Sequence, residues 1–196
     1  MAEVVLFHHV QGLTDGVRAF ADELRAAGHT VHTPDLFAGE RPASIELGVA
    51  LVNLIGDETL DKRAAEALAG LPDDLVYAGF SFGGATAQQF AQIRPGARGA
   101  LLYESFVSLT AEWSFGPWPD GVLAQIHGME HDPFFAEEGD LDAAREFVAA
   151  VGPGVAELFT YPGSSHLFTD SSLPSYDPDA TRLVIDRSVA FLDRLS

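Results

Sequence analysis

The most constraining stretch of this chain is Leu75–Phe90, where an apolar run, a glycine-flanked serine and a small-residue helix pattern follow one another. Gly79-Phe80-Ser81-Phe82-Gly83 has the form of a nucleophile elbow, a strand-to-helix turn so tight that the serine takes a strained backbone. Glycine two positions either side has a steric purpose, because a Cβ there meets the neighbouring strand or helix. The following helix aims unpaired N–H groups and its positive dipole end at the point where an oxyanion forms. A bare Gly-x-Ser-x-Gly is not specific, and a glycine-rich turn with a serine cap has the same spelling. A base and an acid further along the chain decide between the two.

The flanking sequence supplies an architecture. Short apolar runs at Val4–Phe7, His29–Thr33, Leu75–Ala78, Ala100–Tyr103, Val122–His127 and Ala156–Tyr161 read as strands. Between them Val17, Phe20, Ala21, Leu24 and Ala27 recur at helical spacing after Thr14-Asp15, with Gly28 as the stop. Ser44–Leu71 is helical in pattern with a break near Gly56, and Leu141–Val151 and Pro178–Leu195 are further helices. This alternation predicts an α/β three-layer sandwich: a mostly parallel sheet of about six to seven strands, helices on both faces and no large cap. Residues 1–196 are expected to form one domain.

In such a sheet the working groups gather beyond the carboxyl ends of the strands. His8–Leu13, Asp35–Arg41, Ser81, Glu104, His127–Phe135 and Pro162–Phe168 are therefore expected along one rim. A serine hydroxyl needs a base, and His166, directly after the sixth strand, stands where the base belongs. The chain order Ser, acid, His makes Asp132 the acid, with Glu130 as local competitor; Asp120 precedes its strand and falls at the opposite edge. The oxyanion donors are assigned to the N–H groups of Phe82 and Val10. His9, Phe37, Glu40, Glu104, Trp113, Phe134 and Phe168 are candidate pocket residues. Glu104 reads either as a solvated carboxylate or as a group bordering the pocket. His8 and His9 are adjacent on an extended stretch and point to opposite sides, so they read as polar loop residues and not as a metal pair. His127 and His131 read as supporting or core groups, and no metal or cofactor is expected.

Composition narrows the partners. Twenty-nine acidic residues oppose 11 basic ones, of which only Lys62 is a lysine, for a formal charge of −18. Such a surface repels nucleic acid and anionic membranes. There is no cysteine, hence no thiol nucleophile and no disulfide. Met1–Phe7 enters a strand without a charged leader, and no apolar window approaches ~18 residues. The expectation is a cytoplasmic protein, monomeric or homodimeric, acting on a small molecule.

Val4–Leu13, Ala27–Phe37, Gly79–Gly84, Gly128–Phe134, Tyr161–Phe168 and Tyr176–Ala180 together resemble the dienelactone hydrolase family of α/β-hydrolases. The resemblance implies hydrolysis of an ester or lactone through an acyl-enzyme, with nucleophile, acid and base at Ser81, Asp132 and His166. Three positions depart from the family's best-known members. Those carry cysteine where this chain has Ser81, glutamate at the position of His9, and a substrate-holding arginine at the position of Asp170. With a charge of −18, the departures favour a neutral or cationic, partly aromatic ester over an anionic dienelactone. An acyltransferase or peptidase on the same three residues, and a non-catalytic binding protein on the same fold, are the alternatives. A flavodoxin-like nucleotide binder fits worst, since the turn lacks a phosphate loop's Lys-Ser/Thr.

Overall fold

The computed structural model describes residues 1–196. Six strands, β1 (Glu3–Phe7), β2 (Thr30–His32), β3 (Val76–Phe80), β4 (Gly99–Tyr103), β5 (Leu123–Met129) and β6 (Ala156–Tyr161), form one sheet in the order β2-β1-β3-β4-β5-β6. Every neighbouring pair is parallel. Crossovers are made by α1 (Asp15–Ala26), α2 (Ile45–Ile55), α3 (Asp57–Ala67), α4 (Phe82–Ile93) and α5 (Asp140–Val151), and α6 (Pro178–Arg194) follows the last strand.

The strands read as unbroken apolar runs because both faces of the sheet are covered. Val4 and Leu6 of β1, Ala78 and Phe80 of β3 and Leu101 and Tyr103 of β4 pack under α1 and α6, with Phe20, Leu24, Val184 and Phe191. The alternate residues, Val5, Phe7, Tyr77, Ala100 and Leu102, pack under α3, α4 and α5, with Leu60, Ala64, Ala87, Ala91, Leu141 and Phe147. Strands β1, β3 and β4 therefore feed two cores at a period of two.

Helix ends follow local chemistry. The Thr14 hydroxyl accepts the N–H of Val17 at the start of α1, and Asp177 caps α6 with Pro178 in its first turn. Gly56, at φ 83°, ends α2 and begins α3, which is the break expected in Ser44–Leu71. β3 runs two residues beyond the expected Ala78, through Gly79 to Phe80, and β5 runs to Met129 instead of His127. Glycine stays in the ladder in both cases because parallel neighbours pair with it, Phe7 and Leu102 with Gly79 and Thr160 of β6 with Gly128. No helix is long and apolar enough to cross a membrane.

Candidate active site

Because all six strands point the same way, the loops after β1, β3, β4, β5 and β6 converge on one edge. Ser81 sits between β3 and α4 at φ 50°, ψ −115°, outside the regions open to an ordinary L-residue. The flanking glycines make the turn possible. A Cβ on Gly79 would overlap the Gly83 carbonyl, and one on Gly83 would press on the carbonyls of Phe7 and His8. The N-terminus of α4 is thereby seated directly against the end of β1.

Three of the residues singled out from sequence meet here. The Ser81 hydroxyl donates to His166 Nε2 across 2.8 Å, and His166 Nδ1 donates to Asp132 Oδ2 across 2.7 Å. Asp132 is fully buried, and its other oxygen accepts the N–H groups of Phe134 (2.8 Å) and Phe135 (3.1 Å). Both oxygens are occupied, so the carboxylate has one orientation. Glu130, the competing acid, is exposed, and Asp120 lies in the turn before β5 at the far edge of the sheet. Burial draws the His166 imidazole down, but the bond to Asp132 and the nearby carboxylates of Glu104, Asp132 and Glu138 outweigh it and hold His166 above the usual histidine value.

The N–H groups of Val10 and Phe82 donate to no carbonyl of a turn, loop or cap and to no side chain. Phe82 is the first residue of α4, where a helix leaves its N–H groups unpaired. Val10 lies in the turn His9–Gly12, closed by the Gly12 N–H donating to the His9 carbonyl at 2.9 Å.

The other expected pocket residues divide. Phe134, 37% exposed, sets its ring 4.7 Å from the His166 imidazole. Phe37 is buried between His8, at 4.7 Å, and Phe82, at 5.9 Å. Glu40 is exposed on the β2–α2 loop, and its backbone carbonyl lies against Gly12. His9 is buried and turned to Asp170. Two expectations are corrected. Phe168 is fully buried against Tyr161 in the α1/α6 core and lines no pocket, because the β6 loop folds back over that core. Trp113 is 75% exposed, and the aromatic loop is anchored instead by Trp118, which packs 4.9 Å from Phe147 and donates to the Val122 carbonyl.

Glu104 is not the solvated carboxylate that one sequence reading allowed. It follows β4 at φ 58°, is buried, and accepts the Phe168 N–H at 3.0 Å on Oε1, while Oε2 has no partner. Burial pushes its carboxyl up to about 7; the His166 charge and the backbone N–H groups of Phe168 and Leu167 pull it down, and Asp132 pushes it further up. His127 is a core group, bonded to Tyr161 and Gln125 and pulled down to about 3 by burial and by Arg187; His131 is exposed.

A strained serine between strand and helix, hydrogen-bonded to a histidine that follows the last strand, on a parallel sheet with helices on both faces, defines an α/β-hydrolase. The model of the dienelactone hydrolase family matches residues 1–196, and the chain belongs to that family, as a carboxylic ester hydrolase. No curated protein sequence matches it. Among solved structures it is similar to the dienelactone hydrolase-like promiscuous phosphotriesterase P91 from metagenomic libraries, with 18% identity, TM-score 0.76 and coverage of 100% of this chain and 87% of that one. It is also similar to Thermogutta terrifontis esterase 2 phosphonylated by cyclosarin (16%, TM-score 0.63, covering 100% and 83%). A third neighbour is the esterase PE8 (19%, TM-score 0.62, covering 100% and 93%). At these identities the likeness is one of fold.

Proposed function

We propose that this chain, as one domain, is a serine esterase or lactonase that works through an acyl-enzyme. The reading is carried by the unbroken relay from Ser81 to His166 to Asp132, with both bonds under 3 Å. Ser81 Oγ attacks the ester carbonyl while His166 Nε2 takes its proton. Asp132 holds the proton of His166 on Nδ1, leaves the Nε2 lone pair facing the serine, and stabilises the imidazolium that forms. The N–H groups of Phe82 and Val10 receive the oxyanion of the tetrahedral intermediate, and their lack of a partner in the chain supports that role. His166 then protonates the departing alkoxide, and water, deprotonated by the same nitrogen, releases the acid.

The substrate reading rests on charge. A cleft of about 260 Å³ opens beside the elbow, lined by Leu36, Leu60, Phe82 and Phe115 with Asp57 and Asp61 among its polar groups, and neither lysine nor arginine lines it. An anionic substrate would desolvate against carboxylates there, whereas a neutral or cationic aryl or alkyl ester would not.

The test is reaction of the protein and its Ser81→Ala variant with a fluorophosphonate, followed by peptide mapping and assay of p-nitrophenyl esters. One adduct on Ser81, with ester turnover lost in the variant, is the expected result. A folded protein without an adduct, or a variant that keeps its turnover, overturns the reading.

A further inference from the structure

His8 and His9 are both buried and bonded to opposite partners, and each is pinned as a single tautomer. The Leu36 N–H donates to His8 Nε2 at 3.0 Å, so the His8 proton sits on Nδ1 and is donated to the His9 carbonyl at 2.8 Å. The Gln11 N–H donates to His9 Nδ1 at 3.1 Å, so the His9 proton sits on Nε2 and is donated to Asp170 Oδ2 at 2.8 Å. A doubly protonated His9 would have no lone pair left for Gln11.

Asp170 is built to be the anion at the end of this relay. Besides His9 it accepts the Thr14 hydroxyl at 2.5 Å, and the N–H and hydroxyl of Ser172 at 2.8 and 2.6 Å. Burial pushes the Asp170 carboxyl up, and these bonds outweigh it and hold it down at about 2. The Thr14 hydroxyl, its proton committed to Asp170, accepts the Val17 N–H and so joins the start of α1 to the same carboxylate.

The peptide between these anchors carries the Val10 N–H. The His9 carbonyl takes two donors, His8 Nδ1 and the Gly12 N–H, and the Gln11 N–H is taken by the His9 ring. On the other side the Val10 carbonyl lies against Gly48 of α2, where any Cβ would overlap it. The N–H groups of Gln11 and Gly12 in this turn are taken, and the Val10 N–H between them and His9, the one that the proposed reaction uses, has no partner.

We propose that His9 and Asp170 form one positioning unit for the oxyanion site, aiming the Val10 N–H through the bond from Gln11 to His9 and tying that turn to the loop that carries His166. The two positions that read in the sequence as separate departures from the family pattern are in direct contact, and the unit is neither a substrate-binding cation nor an activating carboxylate. The inference rests on the Ser81 reading above.

The test uses the intact protein with a p-nitrophenyl ester and the fluorophosphonate. His9→Leu removes both bonds of the ring; kcat is expected to fall about 10²-fold, the cost of a displaced catalytic group, with KM within about threefold. Phosphonylation of Ser81 slows in parallel, because it draws on the same N–H. Asp170→Asn lowers kcat in the same sense, and the double variant is no slower than His9→Leu, as two parts of one unit require. His9→Asn, which can take the Gln11 N–H but cannot reach Asp170, recovers part of kcat and serves alone if the leucine variant does not fold. Unchanged kcat in either folded His9 variant, multiplicative losses in the double, or a loss confined to KM overturns the inference. A wild-type protein that takes no adduct on Ser81 refutes the esterase reading instead.

Discussion

Glu104 Oε1 accepts the backbone N–H of Phe168, two residues beyond His166, at 3.0 Å, while its second oxygen is buried without a partner. A carboxyl at the end of β4 thus holds the loop that carries the base. Its carboxyl titrates near 7 in the fold against 4.5 in the open chain, so the native state prefers the protonated form. The resulting stabilisation is complete below about pH 4.5, is lost as pH rises to about 7, and is on the order of 3 kcal/mol. Relative to Glu104→Gln, which carries no titrating proton, the wild type should lose this much between pH 4.5 and 8. Urea denaturation of both proteins across that range measures it, and parallel curves would refute it.

His166 must be neutral to accept the serine proton, and its neighbours hold it above the usual histidine value. The acidic limb of kcat/KM is therefore expected above ~6.5, the reference for an exposed imidazole. Since Glu104 is one of the raising carboxylates, Glu104→Gln should move that limb to lower pH. A limb at or below 6.5 in the wild type, from a pH–rate profile of ester hydrolysis, counts against the histidine base.

Asp132→Asn preserves an acceptor for the Phe134 and Phe135 N–H groups but turns an amide NH₂ towards His166 Nδ1. The imidazole then carries its proton on Nε2, facing Ser81. We expect kcat to fall by roughly 10³–10⁴, with KM and the circular dichroism spectrum little changed. Activity within tenfold of the wild type would remove Asp132 from the relay.

Gly83→Ala forces a Cβ onto the carbonyls of Phe7 and His8, which belong to backbone that cannot swing aside. A destabilisation of about 3 kcal/mol is expected, or a Tm lower by roughly 6–12 °C in a chain of this size. Gly154→Ala is the control, having no neighbour within 4 Å and no positive φ. Equal melting temperatures for the two variants would show that α4 is not seated on β1 as described.

Much of this was legible in the chain. The alternation of apolar runs with helical spacing announces a parallel sheet, and the strand–serine–helix setting around Ser81 carries its own steric signature. Chain order then leads to Asp132 and His166. These features are local, or depend only on which end of a strand a residue follows, so periodicity and turn chemistry suffice to read them. Strand ends were less legible, because Gly79 and Gly128 carry turn signals that ladder pairing with neighbouring strands overrides.

Distance in three dimensions decided the rest. His9 and Asp170 are 161 residues apart, and nothing in either neighbourhood announces that they touch. Phe134 and Phe168 look alike as aromatics in rim loops, yet one lies on His166 and the other is sealed in the core. Glu104 has the spelling of any surface carboxylate, and its burial follows from the β6 loop folding across it. A residue's place on a strand is encoded by its neighbours, whereas its solvation, partners and protonation depend on whichever distant loop packs against it.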